Sequence, residues 1–339
     1  MQQNYLVACL FILVGLFSNP VRSQQDPHIS LYRFHMNMIN PAVSGIKDTP
    51  MLNMTFRSQW QEFEDAPETQ VISFGTPTKG ERIGVGVNVI HDKTFVEEQT
   101  NIFGSFSYRL PMTKELDLFL GLQAGTNGYS VNAQNLRVYG LPQGEIDPNL
   151  INFSRFNPNV GVGAYLRHEN YFFSISAPKI LATKRFKEID GLFTTAADRV
   201  HYYASGGYFI ELNNQWEFVP SFLARYVNFA PFLFSANATF SYKRIIDFGL
   251  EYSFSSGIGG NMMVDTGGTF SFGYAYVTSM HPQINQFSKG THEVVLRIKL
   301  GQEINNRTGD ELARVTEDRN ERRIGTRNRE NNVQRTRNN

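Results

Sequence analysis

The sequence predicts an all-β fold, a transmembrane outer-membrane β-barrel of about 14 antiparallel strands. Three observations predict it. Apolar and polar residues alternate with period two over long stretches, the pattern of strands whose two faces meet different surroundings. These stretches run about 9–12 residues, the length a tilted strand needs to cross a bilayer. Tyr and Phe recur near their ends, at Tyr108, Tyr242, Tyr252, Tyr274 and Tyr276, as in the aromatic girdles of membrane barrels. A soluble sandwich would alternate too. Here, however, the polar face is built from Gly, Ser and Asn with few Lys–Glu mixtures, which suits a crowded or wet interior better than an open surface.

Composition agrees. Of 339 residues, 41% are hydrophobic, 13% aromatic and only 19% charged, yet the mean hydropathy is −0.32. Alternation reconciles many rings with a negative average. A helical membrane protein needs uninterrupted apolar runs of about 20 residues, and none follows residue 23. Disordered chains are poor in aromatics. A formal net charge of +1 argues against nucleic acid as a partner.

Along the chain, residues 5–17 form an apolar stretch too short to span a bilayer and of the right length for a signal-peptide core. Val21 and Ser23 place cleavage near Ser23, so 1–23 is read as a signal peptide, although no Lys or Arg precedes the apolar core. The single cysteine, Cys9, lies inside that core rather than after it, which argues against a lipoprotein box. The mature chain is therefore expected to have no thiol chemistry.

Residues 24–50 precede the first strand and carry turn signals at Asn40-Pro41 and Ser44-Gly45. A barrel of this size is too wide for wall side chains to fill. The segment is thus expected either to enter the lumen as a plug or to remain a loose periplasmic lead-in. The barrel proper is expected over 51–300. Strands are placed near 51–60, 70–75, 82–90, 100–109, 116–131, 158–167, 171–178, 200–211, 215–226, 232–242, 246–255, 258–264, 269–278 and 292–300. With the first strand running outward, every inner turn is short and the long connections (132–157, 179–199, 279–291) all fall on the outer side. Residues 301–339 hold nine Arg, seven acidic residues, eight Asn and no aromatic, so they are expected to be a disordered, polar, periplasmic tail. Residues 24–300 carry 22 basic and 24 acidic residues, so the basic surplus lies outside the barrel.

No phosphate-binding loop, nucleophile elbow or His-Glu-x-x-His motif is present, and the seven His are scattered. No catalytic, cofactor or metal residue is assigned, and no enzymatic activity is expected. Candidate plug and lumen contacts are Asp26, Asn40, Pro41, Gly45, Arg57, Gln59 and Trp60. Alternation turns Arg57 and Gln59 to the lumen. There Arg57 has two readings of equal standing: it pairs with a plug carboxylate such as Asp26, or it is solvated by lumen water.

The order of short motifs carries a resemblance. Gln25-Asp26-Pro27 with Tyr32 and Asn40-Pro41-Ala42 resembles the opening of the PorP/SprF family of type IX secretion and gliding motility in Bacteroidota. Arg57-Ser58-Gln59-Trp60, Ala66-Pro67-Glu68-Thr69-Gln70, Gly84-Val85-Gly86-Val87 with Asp92-Lys93, and Ser107-Tyr108-Arg109-Leu110 follow in family order. So do Ser176-Ala177-Pro178, His201-Tyr202-Tyr203, Gly206-Gly207-Tyr208, Pro220-Ser221, Gly273-Tyr274-Ala275-Tyr276 and His292-Glu293. Val277 departs from the Asp expected there, and the tail extends beyond the usual last strand. The resemblance implies a non-enzymatic outer-membrane barrel. Such a barrel would anchor, or help export, a cell-surface adhesin through its C-terminal domain, contact the periplasmic secretion machinery, or do both. The implied partners are a type IX substrate, other machinery components and outer-membrane lipid. The alternative is a diffusion porin or small-molecule transporter.

Overall fold

The structure is a computed structural model. It describes residues 28–46, 49–60, 65–78, 82–132, 153–182, 199–228, 230–254, 257–278 and 290–301. The expected signal peptide, Asp26, most of the long outer connections and all but the first residue of the expected tail lie outside the described residues.

The chain forms a closed antiparallel barrel. Its strands are β1 (Met51–Gln59), β2 (Glu68–Pro77), β3 (Ile83–Thr94), β4 (Glu97–Pro111), β5 (Leu116–Val131), β6 (Phe153–His168), β7 (Tyr171–Ala177) and β8 (His201–Tyr208). They continue with β9 (Ile210–Glu211), β10 (Trp216–Val227), β11 (Leu233–Tyr242), β12 (Ile246–Ser253), β13 (Gly257–Asp265), β14 (Phe270–Thr278) and β15 (Thr291–Lys299). β9 is the continuation of β8 beyond Phe209, since both pair with β10. The barrel therefore has fourteen staves. Each pairs with its sequence neighbours, and β15 pairs with β1 from Met51↔Lys299 to Gln59↔Thr291, which closes the sheet. Closure removes the free edges that an open sheet would expose inside a bilayer.

The two faces differ as the alternation requires. Leu122, Ile175, Leu250 and Phe272 point outward and are at least half exposed, with Leu250 at 70%. Ser73, Asn88, Asn101, Ser107, Thr239 and Ser271 alternate with such residues and are buried. In water the outer set would be a large apolar patch; in lipid it is the surface that the solvent favours.

Several strands are longer than the apolar pattern indicates. β3 and β4 remain paired to Thr94↔Glu97 through Asp92↔Gln99 and Lys93↔Glu98. Backbone ladder bonds need no apolar side chains, so the pairing outruns the hydrophobic signal. β6 begins at Phe153 rather than near 158 and contains Pro158, opposite Thr126 of β5. Its ladder with β7 reaches only from Arg167↔Phe172 to Val162↔Ala177. Pro158 therefore lies where β6 has no β7 residue beside it, a position in which a missing N–H is tolerated.

Candidate functional site: a segment seated in the barrel lumen

Residues 28–46 lie inside the barrel. They fold as three short 3-10 turns: Tyr32–Phe34, Met36–Met38 and Pro41–Val43. Ile29, Leu31, Tyr32, His35, Asn40 and Ala42 are almost completely buried. The segment bonds to strands from β1 round to β15, which is possible only from within the wall.

The first half is held by charge. Both oxygens of the Glu293 carboxylate accept backbone N–H groups, from Ser30 and Leu31, each at 2.9 Å. The His28 ring lies 2.7 Å from Glu251 on β12. Arg33 reaches Asp247 at 3.1 Å. Arg297 donates to the carbonyl of Phe34 and to Asn53 Oδ1, both at 3.0 Å. Two guanidiniums lie over the Phe34 ring, Arg33 at 4.9 Å and Arg297 at 5.2 Å. His35 is fully buried, 3.3 Å from Thr55 Oγ1. Burial, followed by the positive charge of Arg297, pushes its pKa down to about 3. His35 is thus neutral at physiological pH.

The second half is held by shape. A single transverse row crosses five staves in register: Gly84, Ser107, Gly121, Gly163 and Ser176. All five belong to the inward set. Ser107 donates to the carbonyl of Ser44, and Ser176 donates to that of Ile39 at 2.7 Å. The three glycines make room. A Cβ at Gly121 would overlap the backbone of Ala42, one at Gly163 the Asn40 amide, and one at Gly84 the carbonyl of Ser44. Gly in a strand interior usually marks such a close backbone approach. Gly45 has φ +69° and packs against Thr76 and Gly84, so both its conformation and its space require glycine.

Asn40 links the two kinds of contact. Its Oδ1 accepts from Ala42 N at 2.9 Å and caps the third turn, in which Pro41 occupies the first position. Its Nδ2 donates to the carbonyl of Ala164 at 2.9 Å and to Ser174 Oγ at 2.7 Å. Asn88 adds a 3.0 Å bond to the carbonyl of Asn37, and Ser44 Oγ lies 2.6 Å from Ser105 Oγ.

The structure thus brings Asn40, Pro41 and Gly45 together in the seat. Arg57 is buried on the lumen side, directly opposite Glu293. Gln59 is half-buried near the end of β1, and its N–H donates to Pro67 O at 3.0 Å. Trp60 follows it with φ 52° and is 43% exposed. The sequence reading missed Asp247, Glu251, Glu293 and Arg297. The signal was present: each is a charge at an inward position, on β12 beside Gly249 and Ser253 and on β15 beside Val295. It also missed the glycine row, because strand glycines at 84, 121 and 163 become one feature only once the register is known.

The profile of the family described as "Type IX secretion system membrane protein PorP/SprF" matches residues 21–298. The chain belongs to the PorP/SprF family. It is therefore a membrane protein of the type IX secretion family, with the β-barrel architecture of outer-membrane proteins. A search of curated proteins gives no match. Solved barrels are similar at low identity. The Acinetobacter baumannii outer membrane protein Omp33 is 10% identical, covering 76% of this chain and 100% of that one at TM-score 0.44. A Pseudomonas aeruginosa FadL homologue is 10% identical, over 77% and 93% at TM-score 0.43. The P. putida toluene transporter TodX is 9% identical, over 78% and 94% at TM-score 0.44. The segment seated at Glu293 and along the glycine row lies within the stretch that the PorP/SprF profile matches.

Proposed function

We propose that this PorP/SprF barrel is a plugged, non-enzymatic anchor. It holds a type IX surface protein by its C-terminal domain at the end of the barrel that carries the long connections. The observation that carries this reading is the lumenal seat: residues 28–46 bond to the wall on several sides, an arrangement suited to docking and poorly suited to diffusion. Met51 and Lys299 pair at the same rim as the short turns. That rim is periplasmic in this reading, and so are the two chain ends, where the tail from 301 is free to contact secretion machinery. Asp26 precedes His28 and Ser30, which Glu251 and Glu293 hold, by two and four residues, and is proposed to complete the cluster around Arg57. Residues 1–23 are proposed to be removed on export.

Co-purification tests the reading. After gentle extraction, a surface protein retained through its C-terminal domain is expected with the barrel, and deleting the barrel should abolish display of that protein. A barrel that purifies alone, together with intact display in the deletion strain, would contradict it.

A further inference from the structure

The wall behind the seat is thin and notched on its lipid side. One residue from the glycine row toward the rim of the short turns, and on the lipid face, a second row lies in register across four staves: Ala164 on β6, Ile175 on β7, Ala204 on β8 and Ala224 on β10. Three alanines in a surface otherwise rich in Phe, Tyr, Leu and Val leave a furrow. The furrow widens where β7 stops. The β7–β8 ladder ends at Ser176↔Tyr203, whereas β8 stays paired with β10 to His201↔Val227 and β6 stays paired with β5 to Phe153↔Val131.

Beyond Ala177 the chain leaves the plane of the wall. The carbonyl of Pro178 accepts from the lumenal Gln123 at 2.7 Å, and the backbone of Leu181 exchanges two 3.0 Å bonds with the lumenal Asn159. Among the described residues no stave continues β7 there, and a cavity of about 600 Å³ lies beside its end. Its outer walls are Val162, Ile175, Tyr202, Tyr226 and Phe232, each more than 40% exposed. None of its lining residues is charged. Its inner boundary is Ser176 and Tyr203. Both face the segment in the lumen: Ser176 donates to Ile39 O, and Tyr203 packs with Tyr32 and Ile39. Tyr203 also borders a small lumenal cavity of about 30 Å³ beside Met38 and Ile39.

We propose that the notch is a binding site for one alkyl chain of an outer-membrane lipid, held against the outside of the wall that seats the lumenal segment. The occupant follows from the surroundings. The notch opens on the face that meets lipid, it is continuous with that apolar surface, and its lining offers no charge to a polar headgroup or an ionic peptide. A chain lying over Ala204 and Ala224 makes close contacts that the ridged surface elsewhere cannot give, because dispersion rewards a concave fit.

The test is tryptophan quenching by phospholipid with brominated acyl chains, using the full barrel in W60F/W216F background. Y226W reports from the notch wall and Y274W from the ordinary lipid face; heat-modifiability on gels verifies folding of each. Y226W should be half-quenched at about ten-fold lower brominated mole fraction than Y274W, the ratio that a preference of about 1.4 kcal/mol produces. Filling the floor with A204F/A224F should remove the difference, whereas A124F, an outward alanine on β5, should not. Equal quenching of Y226W and Y274W would overturn the proposal. So would no quenching of Y226W at all, which would mean that polypeptide fills the notch. Native mass spectrometry of the unmodified barrel is an independent readout, with one retained lipid mass expected and its absence counting against the site.

Discussion

The two halves of the lumenal segment are held by opposite means. Residues 28–35 face β1, β12 and β15 and are bound by carboxylates and guanidiniums: Glu251, Asp247, Glu293 and Arg297. Residues 36–46 face β2 to β7 and rest mainly on glycine and serine, with Arg167 donating to Ile46 O at 3.3 Å at their end. A charge clasp is directional, and removing one partner leaves the other buried and unpaired. A steric seat is indifferent to charge but intolerant of one added carbon. The difference teaches that the segment is fixed in register by the first half and in depth by the second. Each half can be broken without touching the other.

The largest effect is expected from Glu293→Ala. It orphans two buried N–H groups and removes the charge opposite Arg57, a loss of about 3–5 kcal/mol. The first half should detach while the second stays seated, read as maleimide labelling of L31C rising well before that of A42C, in C9S background. Next is Gly121→Val, whose Cβ and two methyl groups would run into the Ala42 backbone. Overpacking on the order of 3 kcal/mol should reverse the labelling order, with A42C exposed first. Asn40→Ala removes a cap and two wall bonds, about 2 kcal/mol, and should raise A42C labelling moderately.

The effect of pH is graded, and by pH 5 it reaches about the size of the Asn40→Ala loss. The His35 pKa is lowered to about 3 by burial in the seated state, against about 6.5 when released. Its contribution is thus present above about pH 6.5 and is lost as pH falls through the window toward 3, by about 1.4 kcal/mol per unit. Labelling of L31C should increase on acidification to pH 5, and His35→Gln should flatten that response.

Much of the barrel was legible because alternation reports two-faced strands, and β5 was placed at its observed limits, 116–131. The extensions of β3, β4 and β6 were not, since polar ladder residues carry no apolar signal. In the site, Asn40-Pro41 and Ser44-Gly45 were legible because a cap, a proline and a positive-φ glycine are local devices. The charge clasp was not: Glu293 lies 262 residues from Leu31, and only register brings them together. The same holds for the glycine row, whose members come from three strands. The short motifs that carry the family resemblance include part of it, since Gly84, Ser107 and Ser176 lie in three of them, whereas Gly121 and Gly163 lie in none.

The central claim is that the barrel is closed by its own residues 28–46. Conductance of the intact protein in a planar bilayer tests it most directly. No steady open current is predicted, with large openings appearing once residues 28–46 are deleted from a barrel that still shows heat-modifiable folding. A large steady current through the intact protein would contradict the account.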